Sequence, residues 1–180
     1  MIKPAQLYEY ELKQLYYSVF NNPEYMHYFG CWGTSELSVP HDNYDSHNFA
    51  ILDNNGELVG YICYAINYAS KVVNNFGIIS FKRSIVFGRD LKKIIDDIFN
   101  VYHMRKIEFR AFADNPVIRH YRKFVKEHGG EEVGTLHASV ILSDGKLHDD
   151  VMFELFREPY SYAENNFKHM RHLRQLGVVK

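Results

Sequence analysis

Residues 76–97 constrain this chain more than any other stretch. The apolar run Phe76-Gly77-Ile78-Ile79-Ser80-Phe81 reads as a strand and Lys82-Arg83-Ser84-Ile85-Val86-Phe87-Gly88-Arg89-Asp90 as a short basic loop. Leu91, Ile94, Ile95, Ile98 and Phe99 then recur at helical spacing, with Lys92, Lys93, Asp96 and Asp97 on the wet face. A strand that passes through a basic, Gly-containing loop into a helix is a place to hold phosphate. The first-turn N–H groups and the positive end of the helix dipole face whatever lies before them. Arg83 and Arg89 can equally be solvated loop charges, and Gly88 simple turn chemistry.

The rest of the chain supplies the frame. Leu7, Tyr8, Leu12, Leu15, Tyr16, Val19 and Phe20 describe one apolar helical face over residues 5–20, and Asn21-Asn22-Pro23 stops it. Residues 24–47, irregular and rich in rings, read as a short helix and a long surface loop. Strands over 49–52 and 57–66 flank Asp53-Asn54-Asn55-Gly56, whose Asn-Gly pair is a hairpin signal. A second turn around 71–75 precedes the strand at 76–81. Residues 106–112 alternate as a further strand. Asn115 as N-cap with Pro116 at the first helical position opens a helix that Gly129-Gly130 closes. A last hairpin joins 133–142 to 151–157 through Ser143-Asp144-Gly145. This order predicts a fold in the α+β to α/β range, a mixed, mostly antiparallel sheet flanked by helices. The domain spans residues 1–158; the tail, 159–180, reads as an amphipathic helix or as partly disordered chain.

Composition narrows the function classes. With 21 basic and 22 acidic side chains the net charge is -1, so no overall basic field recruits nucleic acid or anionic membrane. The start of the chain lacks the apolar stretch of a signal peptide and no segment has the length of a membrane span, which points to the cytoplasm. Cys31 and Cys63 form no zinc motif, and the polar runs 41–47 and 148–150 lack metal-site spacing, so no metal is expected. The 14 Tyr and 13 Phe serve either packing or a ring-lined groove or subunit interface.

On these residues the chain resembles the GNAT superfamily of N-acetyltransferases. The order of elements over roughly residues 5–158 is that of the family, whose loop pattern Arg/Gln-x-x-Gly-x-Gly/Ala is echoed by Arg83-Ser84-Ile85-Val86-Phe87-Gly88, with Val86 where the first Gly is expected. The resemblance implies that this loop wraps the pyrophosphate of acetyl-CoA while the neighbouring strand pairs with the pantetheine arm. Those roles then fall to Arg83, Phe87, Gly88 and Arg89, and to Ile79, Ser80 and Phe81. Asn115 and Tyr121 match a family spacing of Asn and Tyr in the next strand-to-helix segment, and Phe124 sits where an aromatic is common.

Acyl transfer from a thioester needs a neutral amine, a polarised carbonyl and a proton for the departing thiolate. Tyr121 is the candidate acid, or else a core Tyr on an apolar helix face. No base is assigned. The family often carries a Glu on the fourth strand, and residues 76–81 hold no carboxylate; Glu108, Asp114 and His137 are the alternatives, beside a water chain. The expected activity is transfer of an acetyl group to a primary amine of a small molecule or protein, with the segment 25–44 and the last hairpin forming the acceptor side and a homodimer as a reasonable assembly. The alternatives are a catalytically silent CoA-binding or protein-interaction module, and a nucleic-acid-binding or nucleic-acid-modifying protein acting through the basic tail segment 168–174.

Overall fold

The computed structural model describes residues 1–20, 22, 36–142 and 144–157. The expectations placed on residues 23–35 and on the tail, including the aromatic part of the acceptor segment, lie outside the described residues. Seven strands form one sheet in the order β1-β2-β3-β4-β5-β7-β6, with β1 Ile2–Pro4, β2 Ser46–Leu52, β3 Leu58–Asn67, β4 Val72–Ser80, β5 Lys106–Phe112, β6 Glu131–Ile141 and β7 Leu147–Phe156. Every neighbouring pair is antiparallel except β4 and β5, which run parallel.

Among the described residues, three α-helices cover this sheet. Helix α1, Glu9–Phe20, follows a 3-10 turn at Ala5–Tyr8 and sends Leu12 and Tyr16 onto Ala50, Tyr61 and Ile79 on one face. Helices α2, Ile85–Asn100, and α3, Ile118–Glu127, pack on the other face, where Ile94, Ile98, Ile118 and Val125 meet Ile62, Ile107, Phe109, Phe153 and Leu155. Period-2 alternation on β5 and β7 produces this division: Ile107, Phe109 and Ala111 join Val151, Phe153 and Leu155 on the helix side.

The local signals hold where the chemistry is local. Asp53 Oδ1 accepts from the N–H groups of Asn55 and Glu57, and Gly56 takes φ +81°, closing the β2–β3 hairpin as its sequence demands. Gly129, at φ +80°, ends α3, and the Gly130 N–H reaches back to the Val125 carbonyl at 2.7 Å.

Several elements differ from expectation, β2 and β6 by starting at Ser46 and Glu131 and others in ways that shape the site. β1 was not read at all, because three residues carry no periodicity; it exists by pairing Ile2 with Ile51 and Pro4 with Phe49. β4 starts at Val72, not 76, since Val72 and Val73 are the residues that pair with β5. Asn115 is not the N-cap of α3. Its carboxamide oxygen accepts from the Val117 N–H at 2.9 Å in an Asx turn, and the helix begins at Ile118 with Val117 at the cap. β7 begins at Leu147, four residues before the expected 151, because Leu147 and His148 pair with Ile141 and Val140 of β6 and Asp150 stands between Leu136 of β6 and Phe112 of β5.

Candidate active site

β4 and β5 touch only at their start. Val72 opposes Lys106 and Val73 opposes Ile107, after which no pairing holds the two strands together. The cause lies in β4. Cys63 of β3 opposes Gly77 while Ala65 opposes Asn74, so β4 carries one extra residue there, and Asn75 takes φ +51°. This is a β-bulge, which bends its strand and turns main-chain groups out of the ladder. Beyond it the strands part around a cleft of about 610 Å³ lined by residues 74–79 of β4 and 108–111 of β5, by Asn115 and Tyr121, and by Met152 to Glu154 at its floor.

Antiparallel alternation decides which β4 groups face that cleft. The Phe81 N–H donates to Val59 O at 3.0 Å, in register with the Tyr61–Ile79 and Cys63–Gly77 pairs, so residues 77, 79 and 81 turn their main chain toward β3. Ile78 and Ser80 therefore turn theirs away from β3, to the β5 side, and of these two Ile78 lines the cleft. Of the expected trio Ile79, Ser80 and Phe81, only Ser80 has this orientation; the Ile79 side chain is buried against α1.

The expected phosphate loop is mostly helix. Ser84 is the N-cap of α2, its hydroxyl accepting from the Phe87 N–H at 3.4 Å, and Ile85 is the first helical residue. The orphan donors of this helix start are thus at Ile85 and Val86, while the Gly88 N–H falls within the helical ladder. Phe87 is buried, its ring filling the space where Gly60 has no side chain: a Cβ there would lie 2.2 Å from Phe87 Cε2. Arg89 is held by Asp90, Nε to Oδ1 at 2.9 Å. Arg83 is exposed and pairs with no described carboxylate, whereas Lys82 is taken by Asp53 and Glu57. Gly88 has open space above it and lines a second, apolar groove of about 280 Å³ between α2 and α3, with Leu91, Ile95, His120 and Phe124.

Tyr121 lines both cavities. Its ring stands edge-on to Phe109 and Phe153, with centroids 5.1 and 5.8 Å away, and burial pushes its hydroxyl up to about 12. It holds its proton at neutral pH.

The three candidate bases separate. Glu108 lines the cleft; Asp114 is bound by His148 and His137 by Asp149, each at 2.9 Å, and neither is among the cleft residues. A feature invisible in the sequence lies here. Glu108 of β5 stands opposite Glu154 of β7, and Glu154 opposite Glu131 of β6, which sets three carboxylates in a row across one face of the sheet. Lys106 bridges the first two, at 2.6 Å from Glu108 and 2.5 Å from Glu154. Burial works against its charge, but those carboxylates outweigh it and hold the lysine above its ordinary range. Arg110, also in the cleft, is answered by the buried Asp150 at 3.6 Å. Among the described residues no group of three His, Cys, Asp or Glu side chains is placed to hold a metal ion, and no helix is long and apolar enough to cross a membrane.

No protein-family model matches the sequence, and neither does any curated protein. Solved structures do. The spermidine/spermine N-acetyltransferase SpeG from Vibrio cholerae, in complex with manganese ions, superposes with a TM-score of 0.60 at 20% identity, over 87% of this chain and 92% of that one. The dodecameric spermidine N-acetyltransferase from Vibrio cholerae gives 0.55 at 22% identity over 67% and 70%. A chimera of SpeG from Vibrio cholerae and hSSAT gives 0.53 at 23% identity over 64% and 71%. The seven-stranded mixed sheet with its parted β4 and β5, flanked by three helices, is therefore the GNAT fold of these N-acetyltransferases.

Proposed function

We propose that this chain is an N-acetyltransferase that moves an acetyl group from acetyl-CoA to a primary amine, and that the amine belongs to a polyamine. The observation that carries the reading is the continuity of one path. Phe76, Ile78, Phe109 and Tyr121 line both the groove at Gly88 and the cleft, so the path runs from the orphan N–H groups at Ile85 and Val86, past the open surface over Gly88 and the main chain of Ile78, to Tyr121 and the carboxylates Glu108 and Glu154. Its parts suit acetyl-CoA. Helix-start donors with Arg83 answer a diphosphate, and an unpaired strand edge answers the amides of the pantetheine arm. The coenzyme supplies a thioester; everything else falls to the protein. Main-chain N–H groups turned out by the bulge at Asn75 polarise the carbonyl as the C–N bond forms, Tyr121 donates to the sulfur as the C–S bond breaks, and the proton shed by the amine leaves through water in the cleft, from which Tyr121 is reprotonated.

The acceptor class follows from charge. Glu108, Glu131, Glu154 and Asp150 face Lys106 and Arg110 across the same sheet surface, four carboxylates against two cations, so two negative charges are left for a ligand that brings positive ones. Spermidine, the substrate named for the similar structures, has that character. Self-association is part of the same reading, given the dodecamer among those structures; light scattering of the purified chain decides it.

The test is calorimetric titration with acetyl-CoA followed by release of free thiol in the presence of spermidine. Binding with turnover supports the proposal. Binding without turnover on any amine leaves a silent coenzyme-binding module, a reading favoured by the lack of a carboxylate on β4; no binding at millimolar coenzyme defeats both.

A further inference from the structure

His148 has no role in the path just described, yet it is the most heavily engaged imidazole among the described residues. Its Nδ1 lies 2.9 Å from Asp114 Oδ2, and its Nε2 lies 3.2 and 3.3 Å from the two oxygens of Asp144. The ring leans on Phe112 at 5.9 Å and its side chain is only 9% exposed. The two carboxylates come from different places: Asp144 from the β6–β7 turn, Asp114 from the turn between β5 and α3. Both ring nitrogens thus lie within hydrogen-bond distance of a carboxylate, one from each turn. The neighbouring Asp149 does not compete, since it is engaged by His137 and by the Ala138 N–H, while its own carbonyl accepts from Ala113.

What this clamp holds is the mouth of the cleft. Asp114 is followed directly by Asn115, which lines the cleft, is buried, and carries the Asx turn that starts α3 and so sets the direction of Tyr121. We propose that His148 is a positioning residue: by tying the β6–β7 turn to Asp114 it holds Asn115 and the first turn of α3 in the conformation that receives the coenzyme. Its bearing on coenzyme binding rests on the transferase reading; the holding of the turn does not.

The experiment uses the whole chain and reads amide hydrogen exchange at Val117 and Ile118 beside acetyl-CoA affinity. Losing the ring that joins the two carboxylates, His148→Ala is expected to speed exchange at these amides by about tenfold or more, with α2 unchanged. Acetyl-CoA affinity should fall by a similar factor, because only the held turn is competent. His148→Gln, which keeps one donor, should fall between. If the alanine variant does not fold, Asp114→Asn, altered at a half-exposed carboxylate, makes the same measurement. Unchanged exchange at Val117 in the folded variants overturns the clamp. Faster exchange with undiminished acetyl-CoA affinity overturns its link to the cleft. A wild-type chain that takes up no acetyl-CoA removes the transferase reading alone, and the exchange rates then decide the clamp by themselves.

Discussion

Replacing Tyr121 with Phe removes one hydroxyl from the junction of the cleft and the α2–α3 groove and leaves the ring contacts to Phe109 and Phe153 in place. The size of the effect follows from the acidity of the two partners. A thiol ionises near 8.5 in water, and burial has pushed Tyr121 to about 12, a gap of roughly 3.5 pH units, or about 5 kcal/mol against complete proton transfer. On the proposed reading, Tyr121 donates a hydrogen bond to a sulfur that is gaining charge, with the proton moving only as the bond to carbon breaks. A hydrogen bond to a charged group contributes about 1.5–3 kcal/mol, which corresponds to a fall of roughly 10- to 150-fold in kcat. Because burial is the sole cause of its raised pKa and no hydrogen bond ties its hydroxyl to another described residue, thermal stability should hardly change. Thiol release at saturating acetyl-CoA and amine measures the rate, and calorimetry the stability. The loss should shrink with a thioester whose leaving thiol is more acidic, since such a sulfur needs less help. A Tyr121→Phe protein with wild-type kcat refutes the reasoning, and so does one whose loss is the same for both thioesters.

Three further outcomes are expected. Gly88→Leu should raise the melting temperature, because glycine inside a helix costs about 1 kcal/mol, yet weaken acetyl-CoA binding about tenfold or more as the new side chain fills the groove; calorimetry reads both, and a parallel rise or fall of the two contradicts the placement of the coenzyme. Glu108→Gln should raise KM for spermidine severalfold while leaving acetyl-CoA affinity alone, a split visible in steady-state kinetics, because it removes one cleft carboxylate and no coenzyme contact. His47 lies among the rings of Phe49, Tyr64 and Tyr102, and burial lowers its pKa against the opposing pull of Asp42 and Asp45. Its charged form is thus disfavoured in the folded chain, so its contribution to stability is intact above the unfolded imidazole value of about 6.5 and is lost as pH falls from there through the lower folded value. Melting temperature against pH checks this, with a His47→Phe chain expected to flatten that part of the curve.

Much of the candidate site was legible in the sequence, though not its donors. The strand, the basic segment and the helix at residues 76–97 pointed to one phosphate-binding corner, and the structure has a helix start there. Which atoms face outward was not legible. Ser84 has the chemistry of an N-cap, and taking it as one would have moved the helix start forward and shifted the donors from Gly88 to Ile85 and Val86. At β4 the expected trio was offset by one residue, because pleat direction depends on pairing with β3, which no stretch of β4 reveals alone. Tyr121 and Asn115, by contrast, do lie together on the cleft.

By itself the sequence determined what neighbouring residues settle among themselves: the Asp53–Gly56 turn, the Gly129 cap, the amphipathic stripe of α2 and the alternation of β5. In each, the decisive interaction spans a few residues, so composition and period suffice. Only the tertiary structure decided the insertion of β7 between β5 and β6, the bulge that parts β4 from β5, the row of Glu108, Glu154 and Glu131 around Lys106, and the His148 clamp. These join residues up to 50 positions apart, as Lys106 and Phe156 are, and their energies exist only once distant strands come into register.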